Sequence, residues 1–97
     1  MQYTLQIKPQ VYEDIFNITD YSFRFSFDKN ISEKIKNKIL GAIYSLEFFP
    51  NRFEIYKEKY RRTIVDGKYK IIYFVDEGTK KVIVLRVLVV KMKDSIF

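Results

Sequence analysis

Basic residues interrupt stretches that otherwise read as β-strand, among them Arg61, Arg62, Lys68, Lys70, Arg86 and Lys91. Side chains alternate faces along a strand, so in KYKIIYFVD the residues Lys68, Lys70, Ile72 and Phe74 share one face and Tyr69, Ile71, Tyr73 and Val75 the other. The second set is apolar enough to lie beneath helices, which turns Lys70 outward. On the next strand Ile83, Leu85, Val87 and Val89 alternate with Val82, Val84, Arg86, Leu88 and Val90, leaving Arg86 alone among apolar residues. A charge so placed needs a partner or a route to water, and Asp14, Glu47 and Asp76 are the candidates. With Arg61, Arg62 and Lys91, three neighbouring strands carry positive charge. Where the register brings these residues together, they make a basic patch flanked by aromatics on the sheet face opposite the helices. Such a patch suits an anionic partner, either nucleic acid or an acidic protein. A single lysine there reads more simply as a solvated charge, or as an edge charge that keeps strands from aggregating.

Other chemistry has little to draw on. The chain has no cysteine and no histidine, which excludes thiol nucleophiles, disulfides, Cys/His zinc sites and imidazole acid–base catalysis. No glycine-rich phosphate loop or metal-ligand spacing occurs, so neither a cofactor nor a metal is expected. Glu54 and Glu58 are carboxylates within reach of an acid–base role, although surface-loop residues is the simpler reading. Tyr69 and Tyr73 belong with the core. Lysine and arginine number 18 against 12 acidic residues, a net charge of +6. MQYTLQIKPQ lacks the charged start and long apolar run of a signal peptide. Val82 to Val90 is too short and too charged to span a bilayer. A soluble, cytoplasmic protein without a membrane partner is expected.

The elements that must position these residues follow from periodicity. Tyr3–Lys8 alternates as a half-buried strand, and Pro9 suits the first turn of a helix. From Gln10 to about Ser26, Val11, Ile15, Ile18 and Phe25 keep helical spacing, with Tyr12, Phe16 and Phe23 on the adjoining stripe. Asp28-Lys29-Asn30 supplies turn and cap residues, Asn30 standing three before Glu33 as in a capping box. Ile35, Ile39, Ala42, Ile43 and Leu46 then line one face of a second helix, which Pro50 and Asn51 close. After a charged loop, Arg52 to Lys59, the runs Tyr60–Val65, Lys68–Asp76 and Lys81 to about Lys91 read as strands joined at Asp66-Gly67 and Glu77-Gly78. A chain of 97 residues forms one domain that buries roughly 60–65% of its unfolded surface. The order strand-helix-helix-strand-strand-strand predicts an α+β domain, with a helical hairpin packed on one face of a small, largely antiparallel sheet. Three phenylalanines at alternate positions in SFRFSFD, Phe23, Phe25 and Phe27, are hard to satisfy within so small a core. They read as a partner surface.

Four stretches together resemble the RelE/ParE superfamily, the toxins of type II toxin–antitoxin modules. They are YTLQIKPQVYEDI, AIYSLEFFPNRF, RRTIVDGKYKIIYFVDEGTKKVIVLRVL and the terminal VKMKD. The resemblance implies a small basic toxin neutralised by a cognate antitoxin, which would bury Phe23, Phe25 and Phe27. RelE-like members cleave mRNA on the ribosome and inhibit translation, whereas ParE-like members poison DNA gyrase. Lys70 stands where RelE-like nucleases often carry an arginine, Arg61 or Arg62 near the family's basic positions on the preceding strand, and Lys91 near the basic residue that follows the last strand. The RelE reading makes Arg61, Lys70 and Lys91 the catalytic set, stabilising charge on the cleaved phosphate, with Arg62, Lys68 and Lys93 as RNA contacts. Position 89, often His or Tyr in relatives, is valine here, and Met92 stands where a second basic residue is frequent. A ribosome-dependent mRNA endonuclease is therefore the first expectation, a gyrase inhibitor the second, and a catalytically degenerate antitoxin-binding member the third.

Overall fold

The computed structural model describes residues 2–91. Lys93 and Met92 lie outside them. The chain forms β1 (Thr4–Ile7), α1 (Pro9–Ser26), α2 (Lys29–Ser45), a 3-10 turn (Pro50–Arg52), β2 (Ile55–Lys57), β3 (Tyr60–Val65), β4 (Tyr69–Asp76) and β5 (Lys81–Val89). The sheet order is β1-β5-β4-β3-β2. β1 runs parallel to β5, and the remaining pairs are antiparallel. This is the expected α+β architecture with one added strand: the charged segment after Pro50 contributes the short edge strand β2.

Both helices lie on one sheet face, α1 against β5 and α2 against β3. The core joins Val11 and Ile15 of α1, Ile39 and Ile43 of α2, and Leu46 just past it, to Ile71, Tyr73, Val82, Val84 and Val87 of the sheet. Burying a branched aliphatic side chain contributes about 1.5–3 kcal/mol, so this layer dominates the stability. α1 begins with Pro9 at its first position and ends at Phe27, whose φ of 54° is left-handed. α2 differs at both ends from the sequence expectation. Its cap is Asp28, whose Oδ1 accepts the Asn30 amide at 2.9 Å, so Asn30 is already helical. It closes at Ser45 and Leu46, leaving Pro50 to open the 3-10 turn.

The two hairpin turns part ways. Asp66 and Gly67 both take positive φ, 58° and 69°, and Lys68 N–H donates to the Val65 carbonyl at 3.1 Å, the two-residue turn that suits twisted strands. Around Gly78 the turn is instead built by Asp76, whose Oδ1 accepts the amides of Gly78 and Thr79, and Lys80 takes the positive φ.

β5 carries a bulge. Ile72 pairs with Arg86 but Tyr73 pairs with Val84, so Leu85 is an extra residue. Strict alternation would put Arg86 on the face of Val82 and Val84. The bulge shifts the parity: Val87 enters the core, and Arg86, level with Ile72, reaches Asp14 of α1 where β5 runs past the end of β1.

Candidate functional site

The faces of β3 and β4 decide which basic residues can act together. Arg61 pairs with Tyr73 and Arg62 with Ile72. Because directly paired residues project to one side, Arg61 lies on the helix side with Tyr73, while Arg62, Lys70, Ile72 and Phe74 lie on the other. The expected union of Arg61 and Lys70 on one exposed face does not occur. Lys91 follows the end of β5, past the Tyr69–Val89 pair. It stands about 20 Å along the strands from the level of Arg61, at roughly 3.3 Å per residue. The set Arg61, Lys70 and Lys91 therefore does not converge on one point.

Each of the three has its own surroundings. Arg61 donates to the carbonyls of Asn51 and Phe53, fastening the connection after α2. Lys70 is only 5% exposed. Its neighbours on the face away from the helices, Ile72 and Leu88, are buried as well, so the centre of that face is not the solvated surface that its alternation predicts. Lys91 is exposed and lines an apolar groove with the equally exposed Lys68, between Tyr21 on α1 and Tyr69, Val89 and Val90 at the end of the sheet.

What the outer sheet face does share is Arg62 and Lys70, diagonal neighbours about 7–8 Å apart. Further along, Tyr60 and Phe74 meet edge to face with centroids 6.0 Å apart, and Lys59 Nζ stands 4.3 Å from the Phe74 centroid. Aromatics and cations do meet here, with Arg62 and Lys59 in place of Arg61.

Arg86 is paired with Asp14. Nε and Nη2 donate to the two carboxylate oxygens at 2.8 and 2.9 Å, and the Val87 amide donates to Oδ2 at 3.0 Å. Hydrogen bonding to Asp14 raises the Arg86 pKa further, against the effect of burial. Tyr73 is fully buried and donates to the Pro50 carbonyl at 2.6 Å. Burial pushes its pKa up to about 12, opposed by Arg61 and Arg52. It is a structural tyrosine, as its core position suggests.

A network that the sequence did not announce ties the far end of the sheet. Glu77 accepts from Lys80, Asn51 and Tyr3, and these bonds lower its pKa to about 2, Lys80 contributing most. The three elements involved are remote in sequence, and no local signal links them.

Phe23, Phe25 and Phe27 are 43, 72 and 81% exposed. They do not form one face, because residues two apart on a helix point about 200° apart. Phe23 belongs with Tyr12 and Phe16 along the outer groove between α1 and α2, bordered by Lys29, Lys36, Leu40 and Tyr44. Phe25 stacks instead on Tyr21, centroids 4.6 Å apart. Phe25 keeps the helical spacing of Val11, Ile15 and Ile18, yet the buried residues of α1 end at Ile15 and Phe25 is exposed.

Among the described residues no cluster of carboxylates could hold a metal, and no helix is long and apolar enough to cross a membrane.

The fold has close counterparts. The toxin-bearing chromosomal ParDE system of P. aeruginosa superposes with a TM-score of 0.79 at 15% identity, covering 93% of this chain and 98% of that one. The RelBE2 toxin–antitoxin complex of Mycobacterium tuberculosis gives 0.66 at 16% identity, covering 92% and 99%. The RelE–RelB complex of Pyrococcus horikoshii gives 0.57 at 18% identity, covering 96% and 100%. No curated protein sequence matches the chain. At these identities the superpositions establish the fold. A sequence model of the ParE toxin of the type II parDE toxin–antitoxin system matches residues 5–93, and the chain belongs to that toxin family.

Proposed function

We propose that this toxin acts as a ParE-like poison that binds DNA gyrase, and that it does not cleave mRNA. The observation that carries this reading is the placement of Arg61 and Lys70 on opposite sheet faces, with Lys70 buried. Cleavage of RNA through its own 2′-hydroxyl needs cations and an acid–base pair gathered around one phosphate. Here Arg61 is spent on backbone carbonyls, Lys91 stands at a distant end, and no histidine is available. Binding to a protein target needs no such constellation.

A cognate antitoxin is the second partner in this reading, acting with the toxin in the cytoplasm. The outer groove of the helical hairpin, with Tyr12, Phe16, Phe23 and Tyr44 exposed beside Lys29 and Lys36, suits an amphipathic acidic segment.

The RelE-like reading keeps one observation in its favour: Arg62 and Lys70 share a face near the Tyr60–Phe74 pair. In that case Arg62, and not Arg61, is the phosphate contact. Pulse labelling of DNA and protein synthesis minutes after inducing the toxin alone separates the two. Replication failing first, with purified gyrase losing supercoiling activity, is the expected result. Translation failing first, with new mRNA 5′ ends that vanish in Arg62→Ala, would replace it with the nuclease.

A further inference from the structure

The connection from α2 to β2 is exposed in sequence position yet fastened from several sides. The Tyr3 amide donates to the Glu47 carbonyl at 2.8 Å, and Tyr73 Oη to the Pro50 carbonyl at 2.6 Å. Arg61 holds the carbonyls of Asn51 and Phe53. The Asn51 amide donates to Tyr3 Oη at 3.2 Å and to Glu77 at 3.1 Å, and Arg52 donates to Ser45 Oγ at 2.9 Å. β1, β3, β4, α2 and the β4–β5 turn all contribute.

In the middle of this fastened segment stand two adjacent phenylalanines in the open. Phe48 is 54% and Phe49 67% exposed, while the next residue, Pro50, is fully buried. Neither ring meets another aromatic ring among the described residues. Bonds that immobilise a loop bring no benefit to rings left in water, but they lower the entropy lost when those rings enter a partner. Aromatic side chains on a preorganised backbone are the usual anchors of protein interfaces.

Charge narrows the partner. No lysine or arginine occurs between Lys38 and Arg52, and Arg52 is turned onto Ser45 and the Phe53 ring. Glu47 is the one charged residue beside the pair, and it accepts from Gln2. Along its own segment the pair is flanked by one acid, Glu47, and one base, Arg52, so the segment from Ile39 to Phe53 carries no net charge to draw a phosphate backbone. The outer groove of the hairpin, by contrast, is bordered by Lys29 and Lys36.

We propose that Phe48 and Phe49, held rigid by Arg61 and Tyr73, are the anchor with which the toxin enters an uncharged apolar pocket of the protein it poisons, on a surface separate from the antitoxin's. The inference rests on the reading of the toxin as a protein-binding poison. Arg61 acts in it as a positioning residue, through the backbone it holds.

The test uses the full chain with Phe48→Ser/Phe49→Ser and, separately, Phe49→Asp. Survival after induction should rise about a hundredfold in both, while antitoxin affinity stays within about threefold of the original. Unchanged killing by a variant that still binds antitoxin would overturn the proposal. So would a drop of about tenfold or more in antitoxin affinity, which would place the two rings under the antitoxin. Should the double variant fail to fold by circular dichroism, Phe49→Asp decides alone. Purified gyrase separates the two readings. If it is inhibited equally by original and variants, the anchor is wrong and the gyrase reading stands. If the original toxin leaves gyrase untouched, the gyrase reading falls, and survival with retained antitoxin binding decides the anchor.

Discussion

Arg86 closes on Asp14 with two charge-assisted bonds, 2.8 and 2.9 Å, and the same carboxylate takes the Val87 amide at 3.0 Å. β1 pairs with β5 only as far as Ile7 and Val84. Beyond that point the β5 backbone would face outward without a ladder partner, and Asp14, on the second turn of α1, supplies the missing acceptor. One side chain thus satisfies a strand edge, neutralises an embedded arginine and sets where α1 crosses the sheet.

Removing that carboxylate leaves the buried Val87 amide without its acceptor and takes two charge-assisted bonds from the Arg86 guanidinium. Asp14→Ala should cost about 3 kcal/mol, toward the lower end of the range for broken buried pairs because Arg86 keeps some access to water. The midpoint of urea unfolding measures this. A loss below about 1 kcal/mol would mean that the pair is as weak as a surface one.

Tyr73→Phe keeps the ring and deletes the bond to Pro50. Leaving that carbonyl unsatisfied should cost about 1–2 kcal/mol. Ultraviolet titration gives an independent reading, since Tyr73 should ionise near 12. Its folded pKa lies above the unfolded value of 10.0, so this stabilisation is complete below pH 10 and is lost as pH rises toward 12. A late-ionising phenol that persists in Tyr73→Phe would reassign the effect.

Glu77 works in the opposite direction. Its folded pKa near 2 lies below the ordinary 4.5, so its contribution is present above pH 4.5 and disappears as pH falls through about 2. Thermal midpoints recorded between pH 5 and 2 should fall less steeply in Glu77→Gln than in the original chain. Parallel curves would show that the network with Lys80, Asn51 and Tyr3 adds nothing in solution.

Phe23 in the hairpin groove and Phe27, the exposed residue that closes α1, predict a selective loss. Phe23→Ser/Phe27→Ser should leave the unfolding midpoint almost unchanged, because neither ring enters the core, and weaken antitoxin binding by about tenfold or more. Titration calorimetry with the cognate antitoxin reads this directly, and unchanged affinity would remove this face from the interface.

The element order, the helical faces and the core side of β4 were legible from residue spacing. Ile39, Ile43 and Leu46 recur with a helix's period, and Ile71 and Tyr73 with a strand's, because burial selects apolar side chains on one face. The absence of histidine and cysteine bounded the chemistry without any structure. What spacing could not carry was register. A single extra residue, Leu85, reverses every side chain that follows it on β5, and nothing in VIVLRVLV marks the bulge, since apolar residues occupy both faces. The separation of Arg61 from Lys70 likewise arises only when Arg61 is set against Tyr73 across the β3–β4 hairpin. Their types and positions were fixed in the chain; whether two cations meet on one phosphate or stand on opposite faces depends on pairing between strands, which is a property of the folded sheet.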